Sequence, residues 1–198
     1  VLAGRARAED FALDAIAEDW RLGPWKSRFS GQTAEGVVET GQGPKKVLLL
    51  KPQTFYNESG RAVAEAARFY KIEADKIMVF HDELDLAPFK VKVRRGGGLA
   101  GHNGLLSIQN HIGANFSRIR IGIGHPGKKE LVNSHVLGDF SATERKHVHS
   151  ILGGISESIG SLVDGDENTF MNDLAQMLEP IQKNFNIEQQ NSMSRKNS

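Results

Sequence analysis

Apolar residues recur along this chain with two periods, and the way the periods alternate predicts its fold. Phe11, Leu13, Ile16 and Trp20 fall at mostly three- and four-residue spacing, which predicts an amphipathic helix. Lys46–Lys51 (KVLLLK) and Lys76–Phe80 (KIMVF) are short continuous apolar runs, the pattern of strands buried on both faces. Gly36–Glu39 reads as a weak strand, Phe89–Arg94 as a half-exposed strand and Arg118–Gly124 as a strand with alternating faces. Helices are predicted over Glu58–Tyr70, with Val63, Ala66, Ala67 and Tyr70 on one side, and over His102–Ile112, Ala142–Leu162 and Thr169–Leu178. Strands alternating with helices predict an α/β fold: a single three-layer domain over residues 1–180, with a twisted mixed sheet flanked by helices. Residues 181–198 are rich in Asn, Gln and Ser and are expected to form a flexible polar tail. In such sheets sites collect at the strand ends, which here carry Gln53–Asn57, His81–Asp85 and His125–Lys129.

Charge sharpens the picture. The 198 residues carry a formal net charge of only +1. Yet no Asp or Glu occurs from Leu86 to Lys129, where Lys90, Lys92, Arg94, Arg95, Arg118, Arg120, Lys128 and Lys129 all lie. Inside that stretch runs RRGGGLAGHNG, Arg94–Gly104, a glycine loop opening a helix. Fixed cations beside bare N–H groups suit a phosphate-rich partner. The chain has no cysteine, which removes disulfides and thiolate chemistry and fits a cytoplasmic setting. It has no apolar run of membrane-spanning length and no secretory h-region.

Several motifs have competing readings. Gly96, Gly98 and Gly101 satisfy G-x-G-x-x-G, but they sit mid-chain with no acidic residue at the ribose-binding offset, so a nucleotide-dependent oxidoreductase is a minor alternative. GIGHPGK, Gly122–Lys128, is followed by Lys129 where a phosphate loop needs Ser or Thr, and reads as a turn. His81, Asp82, Glu83 and Asp85 form a cluster without a second set of metal ligands; Asp82 or Asp85 suits orienting a histidine. His102 reads equally as a catalytic or a capping residue, and Asn103 can hold a carbonyl. Asn57 reads as a helix N-cap or as an amide aimed at a cleft, and Phe55 and Tyr56 as base-stacking or packing residues.

KPQTFYNESGRAV, VFHDELDL, RRGGGLAGHNGL and FSRIRIGIGHPG, in this order, resemble the successive signature blocks of bacterial peptidyl-tRNA hydrolases, and Val136–Phe140 fits as well. The likeness runs from about Phe11 to about Leu178. It implies a monomeric α/β hydrolase that needs no metal or cofactor. Such an enzyme cleaves the ester between a peptide and the 3′-terminal ribose of tRNA. The resemblance makes Asp82 the carboxylate orienting a general-base histidine, Asn57 the residue holding water or substrate, and Asn103 a ligand of the peptide or ribose end. Phe55 shapes the crevice for the 3′ end, and Arg94, Arg95 and Arg120 contact the acceptor stem. The family's opening strand, Asn-Pro-Gly loop and Arg-His-Asn segment have no counterpart here. The chain reads GRARAEDFALDAIA in that place, with no histidine before His81 and no asparagine before Asn57. The general base is therefore carried over to no residue, and this chain is expected to be impaired. A non-catalytic RNA-binding relative of the same fold is the second reading.

Overall fold

The computed structural model describes residues 8–138 and 140–196. Residues 1–7, in the segment that departs from the signature pattern, and Asp139, in the Val136–Phe140 match, lie outside the described residues. In chain order the elements are α1 (Ala8–Asp19), β1 (Lys26–Arg28), β2 (Gly31–Val38), β3 (Lys45–Pro52), α2 (Ser59–Tyr70), β4 (Met78–Glu83), β5 (Val91–Arg95), α3 (Asn103–Ile112), β6 (Ser117–Gly122), α4 (Val132–Leu137), α5 (Ala142–Val163) and α6 (Glu167–Lys196).

The α/β reading holds, with the strands divided between two sheets. β1, β2 and β3 form an antiparallel meander. In the second sheet β6 is central, parallel to β4 and antiparallel to β5. A parallel pair needs a long crossover, and the β5–α3 excursion supplies it. KVLLLK and KIMVF do become strands, but not strands buried on both faces. Among the described residues β3 pairs only with β2, and β4 only with β6. Val47, Leu48, Leu50, Met78, Val79 and Phe80 stay half-buried. Helix α1 packs against both strands.

The alternation of β6 decides what lies on each side of its sheet, because successive side chains on a strand face opposite ways. Ile119 and Ile121 enter the main core with Ile16, Ile155, Phe170 and Leu174 from α1, α5 and α6. Full burial of side chains such as Phe170 contributes roughly 1.5–3 kcal/mol each. Across the sheet, Leu105, Ile108 and Phe116 form a smaller cluster with Val63 and Val79 beneath α2 and α3.

Two contacts set the position of the functional loops. The Gly60 N–H donates to Ser107 Oγ at 3.0 Å, and a methyl group at Gly60 would collide with the Ser107 carbonyl. The start of α2 thus lies against the middle of α3, and Tyr56 of the preceding TFYN segment reaches Gly104 at the start of α3. At the other end of the chain, α6 does not stop near Leu178. It continues through Pro180 to Lys196, where the polar composition predicts a tail. Ile181 packs on the main core, and Gln182 Nε2 donates to the Phe89 carbonyl at 3.5 Å, so the turn after the proline is anchored.

Candidate active site

The site is built around one imidazole. His102 is the N-cap of α3, in extended conformation, and its Nδ1 accepts the Leu105 N–H at 3.0 Å. Of its two readings, the capping one is realised. The acceptor role at Nδ1 assigns the proton of neutral His102 to Nε2. Nε2 lies 2.6 Å from the Tyr56 hydroxyl and 3.9 Å from Asp82 Oδ1. The Tyr56 ring is 5.1 Å from the imidazole, and His81 meets it edge-on at 5.0 Å. Side chains from the TFYN, HDELD and GHNG segments therefore converge.

Asp82 and His102 are largely buried, with side chains 11% and 17% exposed. Burial raises the Asp82 carboxyl above its usual range, against the opposing pull of His102. Burial likewise lowers His102, against the pull of Asp82. A lowered His102 stays neutral near pH 7, the state its capping bond requires. His81 and Asp82 belong to β4, which pairs as far as Glu83, so they are not the loop residues that the apolar pattern predicts. The buried His81 faces the Asp82 carbonyl through Nδ1 at 2.7 Å, leaving Nε2 buried without a hydrogen bond. Burial lowers its pKa from 6.5 to about 4. Asp85 is exposed in the following turn, so of the two carboxylates proposed to orient a histidine, Asp82 is the one that faces an imidazole.

Asn57 lies inside a 3-10 turn (Tyr56–Glu58), and Glu58 takes the N-cap position of α2. The N-cap reading of Asn57 is thereby corrected. Asn57 and Asn103 are both exposed, next in sequence to Tyr56 and His102. Phe55 is 79% exposed.

Lys92, Arg94, Arg118 and Arg120 share one face of the β4–β6–β5 sheet, and Arg95, one residue on from Arg94, belongs to the other. In register, Arg94 lies opposite Arg118, and Lys92 opposite Arg120. Arg120 Nε donates to Glu83 Oε2 at 2.9 Å. Although burial alone raises Glu83, this bond holds its carboxyl below the ordinary range. Arg95 pairs with Glu167 at 3.4 Å and donates to the Asp75 carbonyl. Arg94 is exposed, with its guanidinium over Gly97. Of the three arginines expected at the acceptor stem, Arg95 and Arg120 are thus ion-paired within the chain. Sequence reasoning missed two features. Tyr56 touches His102 as well as standing beside Asn57. Arg118 is 4% exposed and donates to the carbonyls of Gly96 and Gly98. Its place in a strand without a nearby acid was the available signal.

A hollow of about 530 Å³ at the ends of β4 and β6 is lined by Leu84–Pro88, Gly124, His125 and His135; it takes in Asp85 but not Asp82, Asn57 or Asn103. Among the described residues no group of three or more His, Asp or Glu side chains is placed to hold a metal ion, and no helix is long and apolar enough to cross a membrane.

A family model described as peptidyl-tRNA hydrolase matches residues 7–190. A peptidyl-tRNA hydrolase of Novosphingobium aromaticivorans is 55% identical over 164 residues, covering 83% of this chain and 84% of that protein. One from Ruegeria pomeroyi is 56% identical over 164 residues, covering 83% of this chain and 67% of that protein. Among solved structures, peptidyl-tRNA hydrolase from Acinetobacter baumannii matches with a TM-score of 0.79 at 37% identity, covering 86% of each chain.

Proposed function

The chain belongs to the peptidyl-tRNA hydrolase family, and from that premise we propose how its residues divide the work. Its activity by family is ester hydrolysis on peptidyl-tRNA. Water must attack the peptide carbonyl while the ribose oxygen leaves, so the site needs a proton acceptor, a group to orient it, and polar groups to hold the carbonyl. Asp82 is the orienting carboxylate. Asn57 and Asn103 hold the water and the peptide or ribose end. Phe55 packs on the 3′ end, and Arg94, Arg95 and Arg120 line the path of the acceptor stem. The enzyme works as a cytosolic monomer, and the cysteine-free sequence suits that setting. The observation that carries this reading is the convergence of Tyr56, Asp82 and His102, with the exposed amides Asn57 and Asn103 next in sequence to Tyr56 and His102.

Neither histidine beside Asp82 suits the role of proton acceptor. The free lone pair of His102, on Nδ1, is occupied by the Leu105 N–H, so taking a proton there would break the helix cap. His81 has an open Nε2, but it is buried and, with a pKa of about 4, a weak base. His102 therefore acts as a donor, through Nε2–H, to the Tyr56 hydroxyl, with Asp82 nearby at 3.9 Å.

Single-turnover cleavage of a peptidyl-tRNA by residues 1–198, beside a related hydrolase, tests this reading. A positioned general base contributes about 10²–10⁴-fold, so a rate lower by that factor is expected. Turnover equal to the relative's would sink the assignment of His102 as donor. Salt-sensitive RNA binding with no cleavage at all would favour the non-catalytic reading instead.

A further inference from the structure

Arg118 is buried on the central strand, yet among the described residues no carboxylate pairs with it. Its register neighbours are Val79 on β4 and Arg94 on β5, and Glu83 of the same sheet is taken by Arg120. Its partners are peptide carbonyls instead. Nη1 donates to the Gly98 oxygen at 2.9 Å, and Nη2 donates to the Gly96 oxygen. In a trans peptide the C=O and N–H point in opposite directions. Drawing the Gly96 and Gly98 oxygens inward therefore turns the N–H groups of Gly97 and Leu99 outward. Gly96 and Gly97 have φ of 63° and 82°, left-handed values suited to glycine. Outward N–H groups in such a turn make an anion-binding concavity. The Arg94 guanidinium lies directly over Gly97. The loop is tied at its far end as well, where the His102 N–H donates to the Leu99 carbonyl at 2.9 Å.

We propose that Arg118 is a positioning residue for tRNA binding. Its fork sets the peptide planes of the glycine loop, so that the Gly97 and Leu99 N–H groups form a preassembled anion-binding pair beside Arg94. The inference rests on the reading of this loop as facing phosphate. Arg118 itself touches no phosphate, so its effect on binding is one of geometry and not of counterion release.

The test uses residues 1–198, wild type and carrying R118Q, R118K or R94Q, with deacylated tRNA as the probe. Backbone ¹⁵N order parameters are measured over residues 96–101, and tRNA affinity over a range of salt. In the wild type the loop is expected near the rigid value of about 0.85, and in R118Q to fall toward about 0.6. R118Q is expected to bind tRNA roughly tenfold more weakly at fixed salt, with the slope of log affinity against log salt unchanged. R94Q, by contrast, is expected to lower that slope by about 0.9. R118K keeps the charge but loses the planar fork, and is expected to behave like R118Q. The proposal is overturned if the loop stays rigid in R118Q, if it loosens without loss of affinity, or if R118K binds like wild type. Should R118Q fail to fold, R118K makes the same comparison. A wild type without salt-dependent tRNA binding would instead bring down the phosphate-facing reading, and this inference with it.

Discussion

The two flanks of strand β6 are finished to different degrees. Toward β5 and the glycine loop the buried polar groups are answered. Arg118 is held by two carbonyls and Arg95 by Glu167. Toward β4 only Arg120 is matched, by Glu83, while the imidazole and carboxylate beside it are not. Asp82 faces His102 at 3.9 Å, beyond hydrogen-bond length, with its pKa raised, and His81 Nε2 is buried without a partner. Cations held by fixed partners make a rigid surface. Buried polar groups left unmatched carry a free-energy cost, and such costs concentrate where chemistry is done. On the proposed reading, binding and cleavage in this chain are therefore expected to separate.

The widest separation is expected in kinetics. In an enzyme whose general base is in place, removing the orienting carboxylate costs several decades. On the proposed reading, in which no histidine of residues 1–198 takes that role, D82N has little left to remove, and the peptidyl-tRNA cleavage rate is expected to change by less than about threefold. A hundredfold drop in D82N would mean that Asp82 already serves a working base, with His102 the only candidate in reach. The affinity for tRNA should stay the same in either case.

The next effect is in stability against pH. The folded-state pKa of His81 is depressed to about 4 from 6.5. Its contribution is thus fully present above pH 6.5 and is lost as pH falls toward 4. The loss amounts to about 3 kcal/mol at the acid end of that window. Asp82, with its pKa raised, acts in the opposite sense: its contribution is largest when it is protonated and falls as pH rises. The two contributions separate by comparing urea midpoints of wild type and H81Q between pH 4 and 7.5. Stability curves that run parallel would show that His81 is not the acid-labile group.

A smaller effect tests the pair that ties β6 to β4. E83Q leaves Arg120 largely buried with its charge unmatched, and is expected to cost about 2 kcal/mol, less than a fully buried pair because both side chains keep some solvent contact. The double variant E83Q/R120M should recover most of this loss. If the single variant is neutral by thermal melting, the Glu83–Arg120 pair is not what holds β4 to β6 at that end.

Much of this arrangement was legible before any coordinates. The continuous runs KVLLLK and KIMVF gave strands because their length and β-rich composition leave little choice, and Ser141 with Glu144 gives α5 the capping box that starts it where the pattern does. Periodicity cannot report which strands pair. It therefore read β3 and β4 as buried on both faces, whereas most of their apolar side chains are half-buried and, among the described residues, each has one strand neighbour. Strand β1 is three residues long and α4 six, too short for a period to show. Composition read residues 181–198 as a tail, because the anchoring of Ile181 on a distant core is not a local property. At the site, Asp82, Asn57 and Asn103 were legible as types at strand ends and helix starts. Arg118 was not, since a cation inside a strand looks like a surface residue until its carbonyl partners are placed.

The finest test of the comparison concerns a residue that belongs to neither flank's packing. Phe55 is 79% exposed and opens the 3-10 turn that leads into α2. An aromatic ring so placed adds almost nothing to the fold, so F55A should leave stability within about 0.5 kcal/mol of wild type. If the ring stacks on the 3′ end, its loss should weaken tRNA binding by about 1 kcal/mol, roughly fivefold, the low end for a base on an aromatic platform. That effect should vanish when the probe is a tRNA trimmed of its 3′-terminal nucleotides. R94Q, acting on the backbone, should weaken both probes alike. Equal losses for F55A with trimmed and intact tRNA would place Phe55 on the cationic flank's path and not at the ester.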